Sequence, residues 1–270
     1  MVNKFKQTDI GPIPIDWDYL CVIDPQIGHV INGLTYKPEN VKRNGTLVLR
    51  SANIKNGRLA FDDNVYVDCS IPQELFVRKN DVLICVRNGS RTLIGKNALI
   101  EDNLPVTFGA FMAILRSNIG EYVYFLFSSN IIQKQINVNC SATINQITKR
   151  DFKSFYVPIP QNTQEQKAIA EALSDIDHLI AATEKLIAKK KDIKKGLMQE
   201  LMTGKRRVIT GATEKVKASE LGEIPADWDV LKISDVFRFI TNNTHSRSAM
   251  NANGGKYRNI HYGDILTKYN

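Results

Sequence analysis

Four cysteines, four histidines and one Glu-x-Lys are the residues of this chain whose chemistry could reach beyond binding. Cys21, Cys69, Cys85 and Cys140 are widely separated. Structural zinc calls for Cys or His pairs a few residues apart, and disulfide frameworks belong to short secreted chains, so these read as free buried thiols. His29, His178, His245 and His261 show no metal-ligand spacing either. Asp151 followed by Glu165-Gln166-Lys167 has the residue types of a nuclease centre, but the Glu-x-Lys falls in the first turn of a predicted long helix instead of on a strand. Gly95-Lys96-Asn97 and Gly204-Lys205-Arg206 lack the rest of a phosphate-cradling P-loop. Asp24-Pro25-Gln26 is not the Pro-Pro-aromatic segment of adenine methylation, and no glycine-rich cofactor fingerprint follows a strand. What remains is recognition: the chain reads as a binding protein, not an enzyme.

The composition agrees. The 270 residues are 43% hydrophobic and 24% charged, which fits a soluble globular protein and excludes disordered and collagen-like chains. No apolar run reaches the ~18 residues of a membrane span, and the polar Met1-Val2-Asn3-Lys4 is no signal peptide, so a cytoplasmic location without membrane contact is expected. A formal charge of +8 favours a polyanionic partner such as nucleic acid.

The elements that would position a binding surface begin with a repeat. Gly11-Pro12-Ile13-Pro14-Ile15-Asp16-Trp17-Asp18 returns as Gly222-Glu223-Ile224-Pro225-Ala226-Asp227-Trp228-Asp229, with both tryptophans of the chain in register. A weaker echo sets Asn53–Gly57 against Asn259–Gly263. The second copy stops at Asn270, so it is expected to be incomplete.

Between the copies, the segment from Asn162 to about Thr203 has no proline and only Gly196, with Thr163, Glu165 and Gln166 as start signals and Gly204 as a stop. Ile169, Leu173, Ile176, Ile180 and Ile187 recur at three-and-four spacing; Leu179, Leu186 and Ile193 form a second stripe, and Leu197 with Leu201 completes it. A helix of about 40 residues is about 60 Å long at 1.5 Å per residue, too long for one domain to bury. It should pair with another helix, with Ile169, Leu173, Ile176, Ile180, Ile187, Ile193 and Leu197 as the pairing residues. Acids crowd its first half (Glu165, Glu171, Asp175, Asp177, Glu184) and bases its second (Lys185, Lys189–Lys191, Lys194, Lys195), which suits the helix dipole and an antiparallel partner alike.

Upstream, Thr46–Leu49, Val82–Val86, Leu93–Ile94 and Ala110–Leu115 read as short strands, and Glu121–Asn137 as one core-packed helix whose Tyr122, Tyr124, Phe125 and Phe127 face inward. The fold class is α+β: a mixed α/β domain over residues 1–160, a coiled-coil-type spacer helix over 161–207, and a linker with the start of a second domain over 208–270.

These residues resemble the DNA specificity subunits of type I restriction-modification systems. Tyr156-Val157-Pro158-Ile159-Pro160, then Glu165-Gln166, Ile169-Ala170, Leu173 and Asp177, closing with Leu197, Leu201-Met202-Thr203-Gly204 and Lys205-Arg206-Arg207, match the family's Pro-x-Pro, Glu-Gln helix start and Thr-Gly exit. Asp81-Val82-Leu83-Ile84 with Gly89-Ser90 and Gly95 is similar to its "Gly-Asp-Ile-Leu … Gly-Ser … Gly" segment, with Asn80 where glycine is common. Ser141–Ile147 and the two Gly-x-Ile-Pro-x-x-Trp openings fit as well.

The resemblance implies target-recognition domains that each read half of a split double-stranded DNA site, held apart by paired spacer helices. Those helices also dock methyltransferase subunits, and a motor-nuclease restriction subunit joins for cleavage. No cofactor is expected on this chain; S-adenosylmethionine, ATP and Mg belong to the partner subunits. Two copies could pair through the helix as half-subunits. Candidate DNA contacts are Arg87, Asn88, Ser90, Arg91, Lys96 and Asn97 around Gly89 and Gly95; Asn139, Ser141, Thr143 and Asn145 in a second polar loop; and Lys37, Lys42, Arg43 and Arg50 as phosphate contacts. The alternatives are a non-assembling remnant or recombination cassette, a self-contained nuclease, and a helical protein without DNA affinity.

Overall fold

In a computed structural model of the chain, the described residues are 4–139, 145–209, 211–212, 215–241 and 254. They fall into two compact units, residues 1–185 and 186–270.

The first unit begins with strands β1 (Phe5–Thr8), β2 (Gly11–Pro14), β3 (Trp17–Cys21), β4 (Gly28–Asn32), β5 (Val41–Leu49), β6 (Ile54–Lys55), β7 (Arg58–Leu59) and β8 (Val65–Val67). β9 (Val82–Cys85), β10 (Asn97–Leu99), β11 (Thr107–Phe108) and β12 (Met112–Ser117) follow. Helices α1 (Gly120–Ser128), α2 (Asn130–Asn139) and α3 (Lys149–Phe152), strand β13 (Tyr156–Pro160) and the start of α4 (Thr163–Met202) complete it.

An antiparallel sheet in the order β10-β9-β12-β4 is the centre. Its strand β9, Val-Leu-Ile-Cys, is apolar without alternation because both faces are covered. Val82 and Ile84 point to a core shared with α1, α2, α3 and β13, including Phe127, Phe152 and Phe155. Leu83 and Cys85 point the other way, onto Leu49 and Phe108 of the β11-β5-β8 sheet. The aromatics of α1 lie on the core as expected; Tyr122 donates its hydroxyl to the Pro158 carbonyl at 3.1 Å, and burial pushes that phenol well up.

Several local readings change. The single helix over Glu121–Asn137 is two, because the Ser129 hydroxyl donates to the Leu126 carbonyl and accepts the Ile131 amide, closing one helix and opening the next. The strand at Leu93–Ile94 is a 3₁₀ turn over Arg91–Leu93. The strand expected at Thr46–Leu49 starts earlier, at Val41, through an irregularity between Val41 and Thr46 in its pairing with β8.

The residues that carry the family resemblance turn out to hold this unit together. Asp81 is buried and accepts Arg116 at both carboxylate oxygens, at 2.9 and 2.8 Å, and the Arg78 amide at 2.8 Å. Asn80, standing where glycine is common, has φ 69°, a left-handed conformation that Asn tolerates better than other L residues. β13 pairs antiparallel with β3, and Gln166 in the first turn of α4 donates to the Pro160 carbonyl at 2.7 Å. Trp17 donates its indole N–H to Glu165 at 3.3 Å.

The second unit contains the end of α4, the hairpin β14 (Val216–Ser219) and β15 (Gly222–Pro225), and the short helix α5 (Ile233–Val236). The hairpin repeats β1–β2 pair for pair: Val216↔Pro225 and Ser219↔Gly222 correspond to Phe5↔Pro14 and Thr8↔Gly11. In each, the first-strand hydroxyl (Thr8 or Ser219) donates to the glycine carbonyl at 2.6 Å. The repeat is therefore structural where both copies are described; the Asn259–Gly263 echo lies outside the described residues. Trp228 carries the Arg207 guanidinium 5.7 Å from its ring centre, and Arg207 forms a two-pronged pair with Asp227 at 2.8 and 2.6 Å.

Candidate nucleic-acid interface

Strand register gathers one set of loops. Cys85 at the end of β9 lies opposite Met112 at the start of β12, Ala113 pairs with Asn32 at the end of β4, and Phe108 at the end of β11 pairs with Leu49 at the end of β5. The segments that leave these ends therefore emerge together: Val86–Lys96, Gly109–Phe111, Gly33–Tyr36 and Arg50–Asn53.

Backbone bonds tie them to each other. The amides of Val86 and Arg87 both donate to the Phe111 carbonyl, at 3.0 and 3.1 Å. Met112 N–H closes the Gly109–Met112 turn onto the Gly109 carbonyl at 2.8 Å, and Leu34 N–H reaches the Phe108 carbonyl at 2.7 Å. Gly33 allows this approach, since a Cβ there would stand 2.0 Å from the Gly109 carbonyl oxygen. A cleft of about 380 Å³ opens beside the turn, lined in part by Thr35, Tyr36, Arg50, Ser51 and Phe111.

The polar side chains are partly committed to one another. Asn88 donates its amide to the Ser51 hydroxyl at 3.1 Å and accepts the Ser90 amide at 2.9 Å. Asn145 reaches the Gly89 carbonyl at 3.0 Å, while its own carbonyl accepts from Asn88 N–H. Lys96 donates to the Ser51 carbonyl at 3.3 Å, Arg91 to the Asn137 carbonyl at 2.9 Å, and Arg50 to Asp63 at 2.9 Å. The Nε of Arg50 is buried without a partner among the described residues. Arg87 is exposed, with its guanidinium 5.1 Å from the centre of the Phe111 ring. Beneath it, Cys85 donates its thiol to the Arg87 carbonyl, and burial pushes that thiol up, so it stays neutral and inert.

Six expected contacts are thus brought together: Arg50, Arg87, Asn88, Ser90, Lys96 and Asn145. Arg91 stands at the rim, turned toward α2. Asn97 is a correction. It is 6% exposed, bonded through its amide group to the Gly95 carbonyl and to the Ser128 hydroxyl, because it begins β10 and points into the protein. Gly95 is likewise buried, against Ile136 and Gln133. Lys42 and Arg43 are exposed at the opposite end of β5 from Arg50, and Lys37, paired with Glu39, precedes them; the structure does not bring these three to the cluster. The Asn139 side chain, Ser141 and Thr143 lie outside the described residues. Phe111, Ser51, Thr35 and Tyr36 were not anticipated. Reading Ala110–Leu115 as a strand concealed a turn, although Gly109-Ala110 before an apolar run was a signal for it.

Along α4, Leu173, Ile176, Ile180, Ile187 and Ile193 are exposed and Leu197 half-buried, an uncovered apolar stripe. Ile169 is a second correction: with buried Ala170 it packs on the core of its own unit, so the first turns of the helix are anchored there and the stripe begins after them. No cluster of three or more metal-binding side chains occurs among the described residues, and no described helix is long and apolar enough to cross a membrane.

Residues 14–191 match the family described as the type I restriction modification DNA specificity domain. The chain belongs to this family. Among specificity-domain relatives, a Methanocaldococcus jannaschii chain named for the specificity subunit of type I restriction enzyme MjaX is 33% identical over 268 residues, 93% of this chain and 60% of that one. The EcoKI specificity subunit of Escherichia coli K12 is 29% identical over 205 residues, 72% of this chain and 43% of that one. The chain thus spans roughly half the length of these relatives. A solved chain from a study of complex assembly and conformational transition in the type I R-M system shares the fold, with a TM-score of 0.52 and 21% identity over 73% of this chain and 47% of that one.

Proposed function

We propose that this specificity-domain chain is a non-catalytic subunit of a cytoplasmic type I restriction-modification complex and reads one half of a bipartite double-stranded DNA target. The observation that carries the reading is the loop cluster at one end of the central sheet, where Asn88 and Lys96 meet at Ser51 beside Arg50, Ser90 bonds to Asn88, and Arg87 lies over an exposed phenylalanine. Lysine and arginine heads neutralise phosphates, amides and hydroxyls address base edges, and a rigid sheet fixes their spacing. Methyltransferase subunits dock on α4, and the restriction subunit joins through them; S-adenosylmethionine, ATP and Mg act on those partners. The apolar stripe of α4 takes an antiparallel helix, with a second copy of this chain as the occupant that its acidic and basic halves suit.

The test is methylome sequencing of cells with and without the gene, beside its methyltransferase gene. A split motif that disappears with the gene supports the reading; an unchanged methylome refutes it. Light scattering then separates the pairing proposal, with Ile180→Asp and Ile187→Asp expected to turn a dimer into a monomer. A wild-type monomer would refute pairing and leave recognition standing.

A further inference from the structure

Of the four basic heads in the loop region, Arg50, Arg91 and Lys96 each have an oxygen acceptor among the described residues. Arg87 has none; it is held by a ring. Its guanidinium lies 5.1 Å from the centre of Phe111, which is itself 57% exposed and so contributes little to the core. The two residues are tied further by the Arg87 amide, which donates to the Phe111 carbonyl. Contact with a ring restrains the head and uses up no N–H, so among the described residues the planar fork keeps its five donors. Asn88 next to it is more committed, since one amide N–H goes to Ser51 and its carbonyl accepts from Ser90, leaving a single N–H and one lone pair.

We propose that Arg87 is the guanine reader of this interface, donating its fork to O6 and N7 on the major-groove edge of one guanine, and that Phe111 is the positioning residue that holds the fork. This rests on the DNA-recognition reading above and deepens it. A phosphate contact needs charge and tolerates a mobile side chain; a fork restrained before binding suits a paired acceptor on a base edge, and guanine presents that pair.

The full chain is used to select from randomised duplexes, and the selected duplex is remade with 7-deazaguanine, which carries C–H in place of N7, at one guanine at a time. Wild type should lose roughly ten- to a hundredfold in affinity at one guanine. Arg87→Met, which keeps the stem and removes every donor, should start about that much weaker and be indifferent to the analogue there. Phe111→Leu should lose part of the preference at the same guanine, and Phe111→Tyr should keep it; circular dichroism and thermal unfolding unchanged from wild type exclude misfolding as the cause. A wild type insensitive to the analogue at every guanine overturns the assignment. So does an Arg87→Met that weakens all duplexes equally while the salt slope falls by about one, which makes Arg87 a phosphate contact. A wild type that selects no sequence overturns the recognition reading itself; one whose selected sequence Arg87→Met still prefers overturns the role of Arg87 alone.

Discussion

Removing the Asp81 carboxylate should unfold the first unit far more readily than its size suggests. The Asp81 side chain is 1% exposed and that of Arg116 14%. Three hydrogen bonds end on the carboxylate, two from the guanidinium and one from the Arg78 amide. In Asp81→Ala the guanidinium keeps only the Glu74 and Phe76 carbonyls, at 3.2 and 3.0 Å, and its charge stays largely buried without a counterion. Breaking such a pair costs about 3–5 kcal/mol, a large share of the ~5–15 kcal/mol that holds a domain folded. At a urea dependence of about 1–3 kcal/mol per molar, the midpoint should fall by roughly 1–5 M. Removing both charges, in Asp81→Leu with Arg116→Leu, should cost well below the sum of the single changes, because neither ion is then stranded. The assay is equilibrium urea unfolding followed by Trp17 fluorescence in a Trp228→Phe background. A loss below about 1 kcal/mol for Asp81→Ala, or strict additivity in the double variant, would refute a structural role for the pair.

Other outcomes follow from single contacts. Gln166→Ala removes the buried bond to the Pro160 carbonyl and should cost about 1–3 kcal/mol by urea unfolding, with Gln166→Glu no better, since a carboxylate cannot donate there. Ser129→Ala should cost about 1 kcal/mol by loosening the junction between α1 and α2, visible as faster amide exchange at Ile131. Because burial raises the Cys85 thiol, maleimide at pH 8 should label Cys21 and Cys69 before Cys85, by peptide mass spectrometry; early labelling of Cys85 would contradict its burial. The hydrogen bonds from Arg207 hold the Asp227 carboxyl below its ordinary value of 3.8, so the pair contributes fully above pH 4 and its contribution disappears as pH falls through the lowered value. Trp228 fluorescence in a Trp17→Phe variant should accordingly be flat from pH 7 to 4 and change only below.

The fold was legible where the constraint was local or repeated. The Thr-x-Glu-Gln start of α4 acts through near neighbours, and the repeated hairpins at Gly11 and Gly222, 211 residues apart, agree down to one hydroxyl bond. The join at Ser129 was missed because apolar spacing continues across it, although Ser128-Ser129-Asn130 is a cluster of capping residues. Asn97 was misplaced for a different reason. Its neighbours Lys96 and Gly95 suggest a polar loop, and only the antiparallel pairing of Asn97 with Ile84 turns its side chain inward. Whether a polar residue at a strand end faces solvent depends on a partner strand thirteen residues away in sequence, which composition does not encode.

The same division explains why the family was legible throughout while the site was legible only in part. Asp81, Pro158, Gln166 and Trp17 carry the resemblance, and each is engaged in holding the first unit together. They specify a scaffold through contacts that leave few alternatives. The residues at the strand ends meet no such requirement: Arg87, Phe111 and Ser51 are far apart in the chain and meet only because β9, β12 and β5 end at the same level. A scaffold that keeps its loops out of its own stability can change the residues it presents without unfolding. That makes a sharp expectation for substitution: Arg87→Met and Asp81→Ala should separate cleanly, the first altering which duplex is bound at unchanged urea midpoint, the second lowering the midpoint at unchanged preference. If Arg87→Met destabilised the unit as Asp81→Ala does, reading and scaffolding would not be separate properties of this sequence.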